Sequence, residues 1–256
     1  MQAEDYRYLY TLEQDFWWFA GMRGITAAML DSACPPSRER LILDAGCGTG
    51  GMLSWLTRYS VAGRIVGLEL VQDAISFCRE RKQDHLVQAS VTDLPFADST
   101  FDLLTSFDVL VQLPGQAKDE RAMREMHRVI RPGGIAFVRV AAYKWMKSGH
   151  DEALGTQHRY SLRELTGKME RAGFTILRAS YANSFLLPVV AIRRLLLKRV
   201  GLADSGSDVK PLPAGLAWLN KMLVAVLRAE ALLIKHTKIN LPAGLSIICL
   251  AKKSVG

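Results

Sequence analysis

The chain alternates short, nearly continuous apolar runs with longer segments whose apolar positions recur every three or four residues. Short apolar runs bounded by turn residues are typical of buried strands, and the longer pattern is typical of amphipathic helices. Their alternation predicts an α/β fold built on a mostly parallel sheet with right-handed crossovers. Seven strands are predicted, near residues 41–45, 64–69, 86–90, 102–107, 135–141, 175–181 and 245–253.

Helical patterns fill the segments between the predicted strands and extend to the N-terminus. Ser161 followed by Glu164 forms a capping box at the start of one helix, and Gly173 stands where that helix should stop. We expect further helices within 5–33 and near 51–60, 72–83, 117–130, 186–199 and 216–236.

The two helices that precede the last strand are mostly apolar and are joined by a Gly-, Ser- and Pro-rich linker at 201–215. In the second helix Lys221, Arg228 and Lys235 recur every seven residues, which forms a narrow polar stripe. This pattern favours a helix packed into protein on most sides, with peripheral membrane contact and a homodimer seam as alternatives. We expect one domain over 1–256, divided into an N-terminal helical lid (1–36), a cofactor-binding core (37–182), a helical insertion or substrate cap (183–242) and the last strand (243–256).

Composition places the chain among ordinary folded proteins and excludes several classes. Of 256 residues, 49% are hydrophobic and 23% charged, and no apolar run reaches the ~18 residues of a membrane span. The first residues lack the basic and apolar regions of a secretory signal. Four widely spaced cysteines without a C-x-x-C pair favour a reduced, cytoplasmic protein with no metal site.

The net charge of +8 is concentrated in the second half of the chain. Residues 1–138 carry 14 Lys or Arg and 18 Asp or Glu, whereas residues 139–256 carry 19 and 7. A basic half can attract an anionic substrate or a membrane surface. Nucleic acid is not an expected partner, because no long basic run or aromatic RNA-binding motif is present.

The stretch LILDAGCGTGG joins the first predicted strand to a turn with four glycines. Open α/β sheets bind ligands at this edge, where glycines let the backbone approach a nucleotide. Two cofactors fit the loop: Gly46, Gly48 and Gly51 have dinucleotide spacing, while Asp44 with Gly46, Gly48 and Gly50 suits a different nucleoside. Glu69, at the end of the second strand, could accept hydrogen bonds from ribose hydroxyls in either case.

Two acids separate these alternatives. Asp44 lies inside the end of the first strand, where a carboxylate would repel a pyrophosphate and attract an ammonium or sulfonium group. Asp93 follows the third strand and could accept from an adenine amino group, with Val91 and Leu94 flanking the ring. This arrangement favours a cationic mononucleoside over NAD.

The motifs LILDAGCGTG, VGLEL, TDLPFADSTFDLL, FDVLVQLP and VIRPGGIAFV, over residues 41–140, resemble those of class I S-adenosylmethionine-dependent methyltransferases. The chain is most similar to a type 11-like subset with an aromatic N-terminal lid. The resemblance implies a Rossmann-like sheet of seven strands with an antiparallel last strand, and S-adenosylmethionine as cofactor. It implies cofactor contacts from Asp44, Gly46, Gly48 and Gly50 at the methionine end, Glu69 and Leu70 at the ribose, Thr92, Asp93 and Leu94 at the adenine, and Ser106 and Asp108 at the active-site floor.

The flanking motifs extend the resemblance. In EQDFWWFAGMR, Trp17 or Trp18 would cover the site and border the substrate, and Arg23 would meet the cofactor carboxylate. The stretch SGHDEALGTQHRYSLREL also resembles this subset, although relatives often have His where this chain has Gln112.

Methyl transfer to a hydroxyl needs a base, and histidine is suited to that role near neutral pH. His158, His150 and Tyr160 are therefore the candidate catalytic residues, with Arg159 as a partner for an anionic substrate. The alternative is that these residues only pack the loop. We expect methyl transfer to an oxygen or nitrogen of a small molecule, such as a natural-product or sugar intermediate. A lipid-linked acceptor at a membrane surface is the alternative, and an NAD-binding oxidoreductase or a non-catalytic cofactor-binding protein is more remote.

Overall fold

The computed structural model describes residues 3–199, 216–237 and 239–255. Its sheet has seven strands in the order β3-β2-β1-β4-β5-β7-β6, with β7 antiparallel to both neighbours. This confirms the predicted Rossmann-like fold and its antiparallel last strand. The strands are β1 (Ile42–Ala45), β2 (Ile65–Glu69), β3 (Leu86–Gln88), β4 (Phe101–Phe107), β5 (Ile130–Ala141), β6 (Phe174–Ala182) and β7 (Ser246–Lys253).

Helices cover both faces of the sheet. They are α1 (Ala3–Leu12), α2 (Trp17–Ala33), α3 (Gly51–Leu56), α4 (Gln72–Glu80), α5 (Gln116–Val129), α6 (Gly149–Ala153), α7 (Leu162–Arg171), α8 (Leu187–Arg199) and α9 (Ala217–Thr237). The helical stretch predicted over 5–33 is broken at 13–16, and the helix predicted near 51–60 ends at Leu56. The predicted linker at 201–215 lies outside the described residues.

The central strands are apolar on both sides because both of their faces are covered. Successive residues of each strand therefore enter different cores. One core contains Leu43, Leu104 and Val138, and the other contains Ile42, Leu103 and Phe137.

The local signals around α7 are confirmed. Ser161 Oγ accepts a hydrogen bond from the backbone N–H of Glu164 at 3.2 Å, as the capping box predicts. The Glu164 carboxylate does not close the box and lies 2.7 Å from His158 Nε2 instead. Gly173 follows the helix in a left-handed conformation, with φ of +102°.

Helix α9 packs on α2 through one face, which includes Leu227, Ala231 and Ile234. Gly21 permits the close approach, because a Cβ there would lie 2.2 Å from Leu227 Cδ1. Within the described residues α9 is not packed on most sides. Its face away from α2 is exposed, and Trp218 on that face is 59% exposed. The prediction that α9 is packed on most sides was therefore wrong. A narrow polar stripe shows that most positions of a helix are apolar, but it does not show how many of them contact the rest of the protein.

Candidate cofactor and acceptor site

A cavity of about 1300 Å³ runs along the edge of the sheet where the parallel strands end. It extends from the end of β3 to the end of β6 and thus follows the whole width of the sheet. Helices α1, α2, α6 and α8 contribute side chains to its walls. The strand ends contribute Asp44, Gly46, Glu69, Ala89, Asp108, Ala141, Asn183 and Ser246.

The glycine loop after β1 has a backbone that other residues would not adopt easily. Gly46, Gly48 and Gly50 have φ values of +88°, +56° and +84°. A Cβ on Gly46 would lie 2.2 Å from Val109 Cγ2, so the loop also packs too tightly for a side chain there. Gly46 and Gly48 line the cavity, whereas Gly50 begins α3 behind it.

Asp44 is 1% exposed and accepts a hydrogen bond from Thr105 Oγ1 at 2.6 Å. Burial raises its pKa to about 7, mainly because the carboxylate loses its hydration. A cationic ligand beside it would favour the ionised form again. Asp44 could therefore hold the ammonium group of a bound amino acid moiety.

Glu69 is already engaged with the backbone. Its Oε2 accepts from the N–H of Gly48 at 3.0 Å, and its Oε1 accepts from the N–H groups of Leu70 and Val71 at 2.8 and 3.0 Å. A carboxylate offers about four acceptor positions, so about one remains for a ribose hydroxyl. Glu69 and Leu70 both line the cavity.

Only some of the residues predicted to contact or flank the adenine line the cavity. Val91 and Thr92 line it, but Asp93 and Leu94 do not. The Asp93 side chain is 82% exposed and lies 3.9 Å from Arg121, whereas Leu94 is buried in the core. Ser106 is fully buried and is also absent from the wall.

A carboxylate that the sequence analysis missed anchors the N-terminal segment to the glycine loop. Glu13 Oε2 accepts hydrogen bonds from Thr49 Oγ1 at 2.6 Å, from the N–H of Gly51 at 3.0 Å and from Arg81 Nη2 at 3.1 Å. Burial raises the pKa of Glu13. No local pattern marks this residue, because its partners follow 36 or more positions later.

The predicted lid residues line the cavity. Arg23 donates from Nη1 and Nη2 to the carbonyl oxygens of Glu13 and Gln14, both at 2.6 Å, and so fixes the turn between α1 and α2. Trp17 and Trp18 are also part of the wall.

A second missed residue, Arg139 on β5, forms a buried ion pair in the cavity wall. Its Nε and Nη2 lie 2.8 and 2.7 Å from Asp108 Oδ2. Its guanidinium carbon lies 4.7 and 5.0 Å from the ring centroids of Trp18 and Phe107. The available signal was a charged residue within the apolar run IAFVRVA, the second part of β5.

Arg159 also lines the cavity and is 7% exposed. Its Nε and Nη2 donate to Asp151 Oδ1 and Oδ2 at 2.6 and 3.1 Å, and Nη1 donates to the carbonyl of Ala142 at 2.9 Å. This bidentate pair neutralises much of its charge before any substrate arrives.

The structure does not bring the predicted catalytic residues together in the cavity. His158 lies in a separate pocket of about 270 Å³ beside Glu164. Tyr160 is fully buried, and its hydroxyl donates to Asp119 Oδ2 at 2.6 Å. The side chain of His150, on α6, lies outside the described part of the structure. Gln112 lines the cavity.

Comparison with known proteins agrees with this geometry. A family model described as "Methyltransferase domain" matches residues 43–138. A malonyl-[acyl-carrier protein] O-methyltransferase of Enterobacter lignolyticus is 35% identical over 46% of this chain and 45% of its own length. A fatty-acid O-methyltransferase of Mycolicibacterium smegmatis is 36% identical over 36% of this chain and 34% of its own length. Overall, the chain spans about half the length of the curated relatives it matches first.

The fold is shared by a phosphoethanolamine N-methyltransferase of Haemonchus contortus, solved in complex with S-adenosylmethionine. The TM-score is 0.61 at 14% identity, and the match covers 99% of this chain and 58% of that one. Residues 43–138 therefore match a methyltransferase domain, and the chain has the fold of class I S-adenosylmethionine-dependent methyltransferases. This similarity favours S-adenosylmethionine over NAD as the nucleotide of the glycine loop.

Proposed function

We propose that the protein transfers the methyl group of S-adenosylmethionine to an oxygen or nitrogen atom of a small-molecule acceptor. The observation that carries the proposal is the width of the cavity. The cofactor motifs occupy the part between β3 and β4, and the cavity continues past β5 and β7 to β6. Strands lie about 4.8 Å apart, so about 14 Å of sheet edge between β4 and β6 is available for an acceptor.

The chain's own residues would bind and orient the reactants. Asp44 pairs with the cofactor ammonium, Glu69 accepts from the ribose, and α1 and α2 act as a lid that excludes water. When bound, the cofactor supplies a methyl group on a sulfonium, and the transfer is a displacement that depends mainly on alignment. The two curated relatives described above support a small acceptor, since they are named for a fatty acid and a malonyl group. A cytoplasmic location is part of the same proposal and is supported by four free, buried cysteines.

The test combines calorimetry with a transfer assay. S-adenosylhomocysteine should bind the wild-type protein and NAD should not, and labelled methyl from S-adenosylmethionine should appear in an acceptor from a panel of acids, alcohols and amines. The Asp44→Asn variant should bind the cofactor more weakly, whereas the exposed Asp98→Asn control should match the wild type. Binding of NAD in place of S-adenosylhomocysteine would refute the proposal. So would cofactor binding with no transfer to any member of the panel.

A lipid-linked acceptor at a membrane surface is the second candidate, favoured by the exposed face of α9. Trp218, Met222 and Leu232 are 59%, 47% and 56% exposed and lie along one stripe of the helix. The predicted basic residues of α9 (Lys221, Arg228 and Lys235) are exposed beside this stripe. An apolar stripe flanked by basic residues is typical of a helix that lies on an anionic bilayer. In the described residues no helix is long and apolar enough to cross one.

Co-sedimentation with vesicles tests this candidate. The protein should bind vesicles that contain phosphatidylserine and not vesicles of phosphatidylcholine alone, and replacing Trp218 and Met222 by serine should abolish binding. The matched control is serine at Val61, which is 79% exposed and lies in the connection between β1 and β2, away from α9 in the sequence. Equal affinity for both vesicles, or a stable homodimer that the serine changes dissociate, would overturn the membrane interpretation.

A further inference from the structure

We propose that the acceptor is a carboxylic acid with an apolar body and that Arg139 binds its carboxylate. This inference rests on the proposed methyl transfer and names the class of substrate for the same cavity.

Arg139 has hydrogen-bond donors to spare. It is 5% exposed and lines the cavity, and only its Nε and Nη2 contact Asp108. No hydrogen bond from the described residues reaches its Nη1 group. The guanidinium also packs over the rings of Trp18 and Phe107, so these contacts and the Asp108 pair set its orientation before a ligand arrives. A buried, oriented guanidinium with unused donors is suited to a planar carboxylate.

Charge is unevenly divided along the cavity. The cofactor part carries the acids Asp44 and Glu69, and the lid segment contributes Asp5, Glu13 and the cation Arg23. In the part formed by 107–118, 139–159, 183–194 and 245–246, which we call the acceptor part, the only acid among the described wall residues is Asp108. The cations of the acceptor part are Lys118, Arg139, Arg193 and Arg194, together with Arg159, whose charge is largely neutralised by Asp151. Such a wall favours an anionic acceptor over a cationic amine.

Much of the remaining wall of the acceptor part is apolar, although Gln112, Thr156, Asn183 and Ser246 also contribute to it. Its wall includes Val111, Leu113, Leu154, Val190 and Leu245. Burying a hydrocarbon body against such side chains stabilises the complex by about 25 cal/mol for each Å² removed from water. The chemistry of the wall therefore fits an acid whose charged end meets Arg139 and whose body is apolar.

A carboxylate acceptor also accounts for the missing base. Among the described side chains that line the cavity none is histidine, and Gln112 cannot accept a proton at neutral pH. Carboxyl groups have pKa values of about 4, so the acceptor arrives ionised. A lone pair of its oxygen forms the new O–CH₃ bond while the C–S bond breaks and its electrons remain on sulfur. The anion and the sulfonium become a neutral ester and a thioether, and no proton moves.

The experiment compares decanoate and palmitate with 1-decanol and decylamine, using labelled S-adenosylmethionine and extraction of the product into hexane. We expect methyl esters from the acids and at least about a hundredfold slower transfer to the alcohol and amine, which lack the charge that a guanidinium recognises. Transfer to the alcohol or amine but not to the acids would overturn this inference and leave the proposed function intact. If neither these four compounds nor any member of a wider panel is methylated, the proposed function itself is refuted.

Variants of Arg139 locate the carboxylate. Arg139→Gln should raise the KM for the acid at least about tenfold, the effect of losing one charged hydrogen bond, and Arg139→Lys should recover part of the loss. The exposed Arg171→Gln is the matched control and should have wild-type KM. Arg139→Gln alone leaves the Asp108 carboxylate without its partner, which lowers stability. The double variant Arg139→Gln/Asp108→Asn removes that unpaired charge, and its melting temperature shows whether the protein remains folded without Arg139.

A cofactor control separates the two carboxylates that Arg139 could bind. S-adenosylhomocysteine carries a carboxylate, and 5′-methylthioadenosine does not. If Arg139 serves the acceptor, Arg139→Gln should leave the Kd of both compounds within about twofold of wild type at pH 8, where Asp44 is mostly ionised and the loss of the nearby Arg139 charge changes its ionisation little. A selective loss of S-adenosylhomocysteine affinity, with an unchanged KM for the acid, would assign Arg139 to the cofactor and overturn the inference.

Discussion

Cofactor binding should depend on the ionisation of Asp44. Burial raises the pKa of this carboxyl to about 7, so it is largely protonated in the ligand-free protein below that pH. The cofactor ammonium needs the ionised form as its partner. An α-amino group has a pKa of about 8 and remains mostly protonated at lower pH, so Asp44 is the member of the pair that changes.

The magnitude follows from the fraction of ionised Asp44. With a pKa of about 7, this fraction is about 0.76 at pH 7.5 and about 0.03 at pH 5.5. The Kd of S-adenosylhomocysteine should therefore rise about 25-fold as the pH falls across this window. The stability of the ligand-free protein should instead increase as the pH falls across this window. Because the folded pKa lies above the unfolded one, this stability contribution is fully present below about pH 4 and is lost as the pH rises through 7.

Isothermal titration calorimetry at several pH values measures the effect. Burial also raises the pKa of Glu13, and Asp44→Asn separates the contributions of the two groups. The variant should bind more weakly at pH 7.5 and should lose most of the pH dependence. Its ligand-free form should melt at a higher temperature than the wild type above pH 7. A flat affinity profile for the wild type, or an unchanged slope in the variant, would refute the reasoning.

Three further substitutions have expected outcomes. Gly46→Ala should abolish cofactor binding and lower the melting temperature, because it adds a clash to a strained φ. Gly115→Ala, with φ of +81°, ψ of 148° and no atom within 4 Å of its Cβ, should show only the conformational cost of about 1–3 kcal/mol. Glu69→Ala should weaken cofactor binding and also destabilise the ligand-free protein, since three backbone N–H groups lose their acceptor; an unchanged melting temperature would contradict this. Tyr160→Phe should cost about 1.5–3 kcal/mol of stability by removing the hydrogen bond to Asp119, while the kcat of the folded fraction stays unchanged, and a lost kcat would return Tyr160 to the catalytic candidates.

The sequence alone determined the sheet, the strand positions and the class of cofactor. Strands and helices differ in apolar period, so β1 to β7 and most of the helices between them could be assigned from short windows of sequence, whereas the short helix α6 was not predicted. The glycine loop and Asp44 follow one strand directly, and Glu69 ends the next, so their meeting at one edge follows from a parallel sheet. These features are encoded over a few neighbouring residues each.

The tertiary structure decided which charged groups face the cavity. Glu13 reaches Thr49 across 36 positions and Asp108 reaches Arg139 across 31, and neither pair has a local pattern. His158 stood beside Arg159 in the predicted substrate loop, yet its side chain turns to Glu164 and away from the cavity. Adjacent residues of an irregular loop can point in different directions, and the direction is set by the partner that each side chain finds when the chain packs. Sequence patterns record the period of an element, whereas the choice of partner depends on distances that exist only after the elements are assembled.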